Sequence, residues 1–156
     1  MNPRVGLGFD IHPYSDDPAR PLVLGGVTLE GRGLAGHSDA DAVAHAIADA
    51  LLGAAGLGDI GQHFPDDDPA YEGIDSLELL ARVVLSVSER FEIANVDVTV
   101  VLEAPKLAPH RDAIQQRLED VVGAPVNVKA KRAESLGALG RGEGVACFAV
   151  ALLVPR

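Results

Sequence analysis

The segment from Gly36 to Gly61 constrains the fold most, because it predicts a long, alanine-rich helix. Ser38 or Asp39 is expected to cap the free N–H groups at its start, and Asp41 follows Ser38 at the spacing of a capping box. Alanine, valine, isoleucine and leucine then dominate as far as Gly53, with little β-branched crowding. A helix of this composition suits burial.

Three polar residues interrupt this apolar helix at intervals of four. Asp41, His45 and Asp49 therefore share one side of it, each offset from the previous one by about 40°. Burying carboxylates and an imidazole is costly unless they are paired or bind something. We therefore expect this polar stripe to hold a ligand.

The rest of the chain alternates between strand and helix patterns. Strands are predicted over residues 5–9, 96–102, 126–130 and 145–154, a hairpin over 21–29 turning at Gly25 and Gly26, and helices over 75–90 and 109–122. Residues 58–73 and 137–144 read as loops. This order predicts an α+β fold: a two-layer sandwich whose mixed four-stranded sheet is covered on one face by helices, plus a small β-hairpin. The apolar C-terminal strand is expected to be buried on both faces or against a neighbouring subunit.

Composition narrows the functional class. The 156 residues are 47% hydrophobic, which supports one compact domain over residues 1–156. The net charge of −10 without a basic stripe argues against nucleic-acid binding. No apolar run is long enough to span a bilayer and the start does not resemble a signal peptide, so we expect no membrane association and a cytoplasmic location. The single Cys147 cannot form an internal disulfide.

Asp10, His12 and His45 are the candidate metal ligands. Asp10 and His12 follow the first predicted strand two residues apart and so point the same way, while His45 comes from the helix. One carboxylate and two imidazoles with an open fourth position are typical of a catalytic zinc site. The alternative is that His45 is an ordinary buried histidine and Asp10 a turn former.

Other segments indicate a phosphate-containing substrate. His37 and Ser38 precede the helix N-terminus, where N–H groups attract phosphate, although simple capping also explains Ser38. The run Asp66–Asp68 is either a solvated loop or a binder of substrate hydroxyls, and the glycine-rich residues 140–144 are a weak sign of an anion site. These residues together predict a metal-dependent enzyme that acts on a phosphate ester.

Seven short motifs resemble those of one enzyme family, in the same order and over essentially the whole chain. They are Phe9–His12, His37–Asp41, Asp49–Ala55, Leu57–Gly61, Phe64–Asp66, Ala104–Lys106 and Gly140–Gly144. The family is 2-C-methyl-D-erythritol 2,4-cyclodiphosphate synthase, of non-mevalonate isoprenoid biosynthesis. The resemblance implies that 4-diphosphocytidyl-2-C-methyl-D-erythritol 2-phosphate is converted to the cyclic diphosphate with release of CMP. It also implies a homotrimer with active sites between adjacent subunits.

The resemblance further implies roles for individual residues. Asp10, His12 and His45 would bind zinc, and Glu134 would bind a second divalent ion, Mg²⁺ or Mn²⁺. The expected catalytic residues are His37, Arg132 and Glu134. The expected substrate contacts are Asp10, His12, His37, Ser38, Asp59, Ile60, Gly61, Phe64, Pro65, Asp66, Asp68, Leu102, Ala104, Pro105, Lys106, Leu107, Ala108, Lys131, Arg132, Glu134 and Arg141. Within this set, residues 37 and 38 would meet phosphates, residues 59–68 the methylerythritol and residues 102–108 the cytosine.

The chain departs from the family pattern just before the glutamate. Residues 130–134 read Ala-Lys-Arg-Ala-Glu, where the family usually has consecutive threonines that contact the diphosphate. Lys131 or Arg132 is expected to supply a charged donor instead, which binds phosphate at least as well. We therefore expect activity to be retained, with altered affinity for metal or substrate.

A second departure concerns the expected trimer axis. Arg141 matches a family position that binds an anion there, close to Phe9. Leu7 and Phe148 stand where some relatives have histidine and glutamate. Whether an isoprenoid diphosphate or another anion occupies this axis is therefore an open question.

Two other functions are also open. A zinc-dependent phosphodiesterase or hydrolase would use the same three ligands, but water would attack and the product would be linear. A non-enzymatic trimeric binding module would use Asp10, His12 and His45 only structurally. The products and the metal content distinguish these possibilities.

Overall fold

A four-stranded mixed sheet forms one layer of the molecule, and helices cover one of its faces. The computed structural model describes residues 1–156. In chain order its elements are β1 (Arg4–Pro13), β2 (Leu22–Leu24), β3 (Val27–Leu29), α1 (Ala42–Ala55), α2 (Ile60–His63), α3 (Ser76–Ser88), β4 (Phe91–Val101), α4 (Arg111–Val122), β5 (Val126–Lys131), α5 (Gly137–Gly140) and β6 (Gly144–Pro155). The strand order is β1-β6-β4-β5, with only β4 and β5 parallel, and β2 pairs with β3 as a separate hairpin. The predicted α+β sandwich with a hairpin is confirmed.

Helix α1 packs against β1 and β6, α3 packs against α1, and α4 packs against β5. A single apolar cluster of 37 buried residues connects these elements. Its largest fully buried side chains include Leu22, Leu24, Leu34, Ile47, Leu51, Leu52, Leu80, Phe91, Ile114, Leu118 and Leu153. No helix combines the length and the apolar character that crossing a bilayer would require.

Glycines in β1 allow helix α1 to lie directly on the strand. A Cβ atom added at Gly8 would lie 1.8 Å from the carbonyl oxygen of Ala46, and one at Gly6 would lie 2.0 Å from that of Ala50. Any side chain at these two strand positions would therefore push the helix backbone away. This contact sets the distance between the end of β1 and the first turns of α1.

The start of α1 differs from the prediction. Its N-cap is Asp41, whose carboxylate accepts the N–H groups of Val43 and Ala44, both at 3.1 Å. The expectation that Ser38 or Asp39 caps the helix was wrong, because the first helical residue is Ala42. The helix also continues past Gly53 and ends at residue 55, followed by a left-handed glycine.

The polar stripe predicted on α1 does not exist as a ligand-binding row. The fully buried Asp41 accepts the N–H groups of Gly25 and Gly26, at 2.9 and 2.7 Å, and so joins the turn of the β2–β3 hairpin to the helix. Burial raises the pKa of Asp41 to about 6, although these hydrogen bonds act in the opposite direction and lower it. Asp49 accepts the N–H of Ile60 at 2.8 Å. Backbone donors therefore satisfy both carboxylates, and only His45 of the stripe is left to face a ligand.

Two segments predicted as loops contain short helices, and the C-terminal strand is less buried than expected. Residues 58–73 contain α2 and a 3₁₀ turn at Pro69–Tyr71, and residues 137–144 contain α5. Strand β6 is not buried on both faces within one chain, because Phe148, Val150 and Leu152 are 38–42% exposed. Its burial against a neighbouring subunit stays a prediction.

The sheet face opposite the helices is apolar and open. The side chains of Val5, Leu7, Phe9 and Ile11 on β1 are 47–69% exposed, beside the exposed residues of β6. The rings of Phe9 and Phe148 are 5.0 Å apart. An apolar surface of this kind usually marks a contact with another molecule.

Candidate active site

Asp10, His12 and His45 meet where the end of β1 faces helix α1. Oδ2 of Asp10 lies 2.8 Å from Nε2 of His12 and 3.1 Å from Nδ1 of His45, and the two imidazole nitrogens are 3.4 Å apart. Tetrahedral zinc with bonds of about 2.0–2.1 Å holds its ligand atoms about 3.3 Å apart. The partly buried side chains therefore fit one metal ion in both chemistry and spacing.

The ring of His12 is oriented by the loop before α1. Its Nδ1 donates to the carbonyl oxygen of Ala35 at 2.9 Å, which directs Nε2 at Asp10. Burial lowers the pKa of His12, but the hydrogen bond and charge of Asp10, together with the Ala35 carbonyl, outweigh it and the net pKa is raised. Burial conversely raises the pKa of Asp10, yet both histidines hold it below its usual value. A metal ion bound here would take the place of the proton that His12 shares with Asp10.

The ring of His45 is held from the opposite side. Its Nε2 lies 2.8 Å from Oγ of Ser76 and 3.2 Å from Oγ of Ser38. The Ser76 hydroxyl donates to the carboxylate of Asp39, so it accepts the Nε2 proton of His45. This arrangement leaves Nδ1 as the ligand atom, as in metal sites where an outer carboxylate fixes the tautomer.

The loop that carries His37 is also fixed. The Arg20 guanidinium donates to the carbonyl oxygens of Leu34, Gly36 and Ser38, at 2.8, 3.2 and 2.6 Å. Nε2 of His37 donates to the carbonyl oxygen of Asp68 at 2.9 Å. The chain thus orients His37 beside the metal ligands by its own contacts.

A cavity of about 470 Å³ opens beside the three ligands, and we call it the metal-side cavity. Its wall consists of Asp10, His12, Gly36, His37, Ser38, His45, Ile60, Gly61, Phe64, Pro65, Asp66, Asp67, Tyr71 and Leu79. Asp59 and Asp68 were also predicted for this region, but they do not line it. Their carboxylates cap α2 and the following 3₁₀ turn by accepting the N–H groups of Gln62 and Ala70, each at 2.9 Å.

A second group of predicted residues lines a separate cavity of about 190 Å³, which we call the basic cavity. Its wall consists of Leu102, Glu103, Pro105, Lys106, Leu107, Ala108, Arg111, Ala130, Lys131 and Arg132. The carbonyl oxygen of Ala104 instead accepts the Tyr14 hydroxyl at 3.0 Å, outside this wall. The two cavities have no lining residue in common. One chain therefore does not bring all the predicted site residues together.

Glu134 and Arg141 line neither cavity. Glu134 and Ser135 have φ angles of 54° and 61°, in a left-handed region that is strained for residues other than glycine. Such strain is concentrated at functional sites, and the Glu134 side chain is exposed. Nε of Arg141 donates to Oε2 of Glu143 at 2.6 Å.

Several residues of these sites were not predicted from the sequence, and three of them matter for the chemistry. Asp39 and Ser76 support His45, but Ser76 looks like an ordinary first-turn residue and is 31 positions away from His45. Arg111 reaches the basic cavity from the first turn of α4. No motif or spacing connects Ser76 or Arg111 with these sites. Asp39 lies within the motif His37–Asp41, but the motif does not indicate its contact with Ser76.

Comparison with known proteins identifies the family. A family model described as the YgbB family matches residues 3–154. The chain belongs to the YgbB family. The resemblance inferred from the motifs is confirmed by full-length relatives. The 2-C-methyl-D-erythritol 2,4-cyclodiphosphate synthase of Laribacter hongkongensis (strain HLHK9) is 55% identical over 161 residues, covering 100% of this chain and 98% of that protein.

Some relatives of the chain are longer. The "Bifunctional enzyme IspD/IspF" of Anaeromyxobacter dehalogenans (strain 2CP-C) is 52% identical over 154 residues, which cover 96% of this chain. The match spans 39% of the length of that bifunctional protein.

Solved structures share the YgbB-family fold. The bifunctional IspDF from Campylobacter jejuni superposes with a TM-score of 0.92 at 40% identity, over 97% of this chain and 42% of that one. IspF of Plasmodium falciparum, solved as a CDP complex, superposes with a TM-score of 0.86 at 34% identity, over 99% and 97% of the two chains.

Proposed function

We propose that this chain converts 4-diphosphocytidyl-2-C-methyl-D-erythritol 2-phosphate to 2-C-methyl-D-erythritol 2,4-cyclodiphosphate and CMP. The observation that carries the proposal is the convergence of Asp10, His12 and His45 beside the metal-side cavity. The Laribacter relative is named for this product. The Plasmodium neighbour was solved with CDP, which is the nucleotide part of the proposed substrate.

The reaction is an intramolecular phosphoryl transfer. An oxygen of the 2-phosphate forms a bond to the β-phosphorus, the bond from that phosphorus to the bridging oxygen breaks, and CMP leaves with the electron pair. A phosphate monoester is largely ionised at pH 7, so no strong general base is needed. Holding both phosphates in line and stabilising the charge on the leaving group are the main requirements.

Two kinds of metal ion fit the available ligands. We propose zinc for Asp10, His12 and His45, because this donor set leaves the fourth position of a tetrahedral site open. The ion would polarise a phosphate oxygen when bound. We assign a second ion, Mg²⁺ or Mn²⁺, to Glu134, since such ions are commonly held by one or two carboxylates together with substrate phosphates.

The side chains of the chain itself position the substrate. His37, already oriented by the Asp68 carbonyl, and Ser38 contact the phosphates. Asp66, in the same cavity, accepts hydrogen bonds from hydroxyl groups of the methylerythritol. In the basic cavity, the N–H groups of Lys106 and Leu107 have no backbone acceptor and are available to the cytosine. Arg132 supplies the charged donor to the diphosphate in place of a threonine hydroxyl.

We propose a homotrimer in which the metal-side cavity of one copy and the basic cavity of the next form one active site. A single substrate molecule carries both the diphosphate and the cytidine, yet the two cavities of one chain share no wall. The open apolar sheet face supplies a surface for assembly, at about 25 cal/mol per Å² of apolar area buried. Arg141 would lie near the axis, where an isoprenoid diphosphate or another anion is a candidate ligand. The free, buried Cys147 suits the cytoplasmic location that we propose.

Phosphorus NMR of the reaction products tests the proposed activity. We expect a cyclic diphosphate and free CMP, with one zinc ion per chain by metal analysis. A linear product would identify a hydrolase and reject the cyclisation. Absence of both turnover and stoichiometric zinc would identify a binding module.

Sedimentation of two surface variants tests the assembly. Leu7→Lys places a charge on the apolar sheet face, where Leu7 is 68% exposed, and is expected to yield monomers with little activity. Leu85→Lys is the matched control, because Leu85 is 72% exposed on α3, on the opposite layer. A Leu7→Lys variant that remains trimeric would show that this face is not the interface.

A further inference from the structure

The basic cavity concentrates positive charge in a strongly acidic chain. Of 13 lysine and arginine residues in a chain of net charge −10, four line this one cavity: Lys106, Arg111, Lys131 and Arg132. The ion pairs of the chain all involve other basic side chains. The only acid in the wall, Glu103, accepts the N–H of Ala133 at 2.7 Å. The wall therefore carries an excess of unpaired positive charge.

Arg111 has the most unusual environment of the four. Its Nε is the one buried side-chain nitrogen or oxygen atom without a hydrogen-bond partner in the chain. Leaving a charged donor buried and unsatisfied is costly, so such atoms in native proteins usually meet a ligand, an ion or water. A 3₁₀ turn at Ala108–His110 leads directly into α4, and no side chain caps either of them.

We propose that Arg111 is a specificity-determining residue whose guanidinium donates to the phosphate of a bound cytidine nucleotide. The inference rests on the proposed function and adds a residue that the family resemblance did not assign. The free N–H groups of Lys106 and Leu107 suit the neutral cytosine base. The four cations instead favour an anionic group, which in a cytidine nucleotide is the phosphate. The planar guanidinium fork matches phosphate oxygens better than a lysine ammonium does.

The proposed contact should affect the affinity for CMP, which carries a phosphate, but not the affinity for cytidine, which has none. Calorimetric titration of the full chain with each ligand measures both affinities. Replacing Arg111 by methionine is expected to weaken CMP binding about 10- to 100-fold, the worth of a charge-assisted hydrogen bond. Cytidine binding is expected to stay unchanged. Arg111→Lys keeps the charge but loses the planar guanidinium fork. Its CMP affinity is expected to lie between those of the unmodified chain and Arg111→Met.

Arg117→Met is the matched control. Arg117 lies on the same helix but outside the cavity, with its aliphatic part against Gly26. The Arg117→Met variant should bind CMP with the same affinity as the unmodified chain. An equal loss in Arg117→Met would show that general charge, not a contact, attracts the nucleotide, and would overturn the proposal.

Two further results would also overturn it. Equal losses for CMP and cytidine in Arg111→Met would mean that the side chain supports the base or the fold. Unchanged CMP binding would mean that the guanidinium does not reach the phosphate. Should Arg111→Met fail to fold, Arg111→Lys carries the same comparison.

The proposed function can fail separately. If the unmodified chain forms the cyclic product and Arg111→Met binds CMP normally, only the assignment of Arg111 is wrong. If the unmodified chain neither binds CMP nor forms the product, the proposed function and the inference that rests on it are both rejected.

Discussion

In the metal-side cavity each candidate metal ligand has a hydrogen-bond partner within the chain, whereas the four cations of the basic cavity have none. Asp10 contacts both imidazoles, His12 is held by Ala35, and His45 is held by Ser76. In the basic cavity the buried Nε of Arg111 is unpartnered. The first cavity is therefore organised before anything binds, and the second is completed only by its ligand.

This difference indicates that the two cavities bind different kinds of ligand. A prearranged set of ligands loses little entropy when a metal ion binds, so it favours affinity and fixed geometry. Unpaired cations repel one another, so an incoming phosphate relieves that repulsion as well as making new contacts. Changes in the first cavity should therefore act on metal affinity, and changes in the second on nucleotide affinity.

The largest effect is expected when the metal set is broken. His45→Ala should lower kcat/KM about 10³-fold or more, because losing the ion removes more stabilisation than losing one oxyanion donor does. Kinetics and metal analysis check this, and CMP affinity should be unchanged. His63→Ala is the control, because Nε2 of His63 donates to the Leu57 carbonyl at 2.8 Å, outside the cavity. A His45→Ala variant with full zinc content and activity would show that the metal-side cavity is not organised around a metal ion.

A smaller effect is expected from the support of His45. Ser76→Ala removes the acceptor of the Nε2 proton and breaks the link to Asp39, so zinc affinity should fall about 10- to 100-fold. Competition with a chelator measures this without relying on activity. Ser86→Ala, on the same helix, is the control, because its hydroxyl donates only to the Arg82 carbonyl. Equal zinc affinity in both variants would mean that the hydroxyl does not position the histidine.

The smallest effect is expected from restoring the residue type usual in the family. Arg132→Thr should change turnover by less than about tenfold while raising KM, because a charged donor binds phosphate at least as well as a hydroxyl. Steady-state kinetics on both proteins check this. If the variant turned over a hundredfold faster, the native arginine would be a defect of the basic cavity and not a binding group.

Part of the site was predictable because its signals are local. The two-residue period of a strand places Asp10 and His12 on one side, and the structure brings them to His45 as predicted. The expected zinc donor set therefore converges in space. Periodicity likewise predicted the main helices and strands, with errors mainly at their ends.

The role of Asp41 could not be predicted in the same way. Spacing suggested a member of a ligand-binding stripe, but its hydrogen-bond partners include Gly25 and Gly26 in the hairpin, 16 and 15 residues away. Packing of the hairpin on the start of α1 decides which groups this carboxylate meets. Local spacing contains no information about that packing.

The sequence by itself determined the main elements, the candidate metal ligands and the family, because these depend on residue identity and short-range periodicity. Only the tertiary structure decided that Ser76 and Asp39 support His45 and that the Nε atom of Arg111 is buried without a hydrogen-bond partner. It also decided that the predicted site residues divide between two cavities. These features depend on which distant segments pack together, since burial and hydrogen bonding are set by neighbours in space and not by neighbours along the chain.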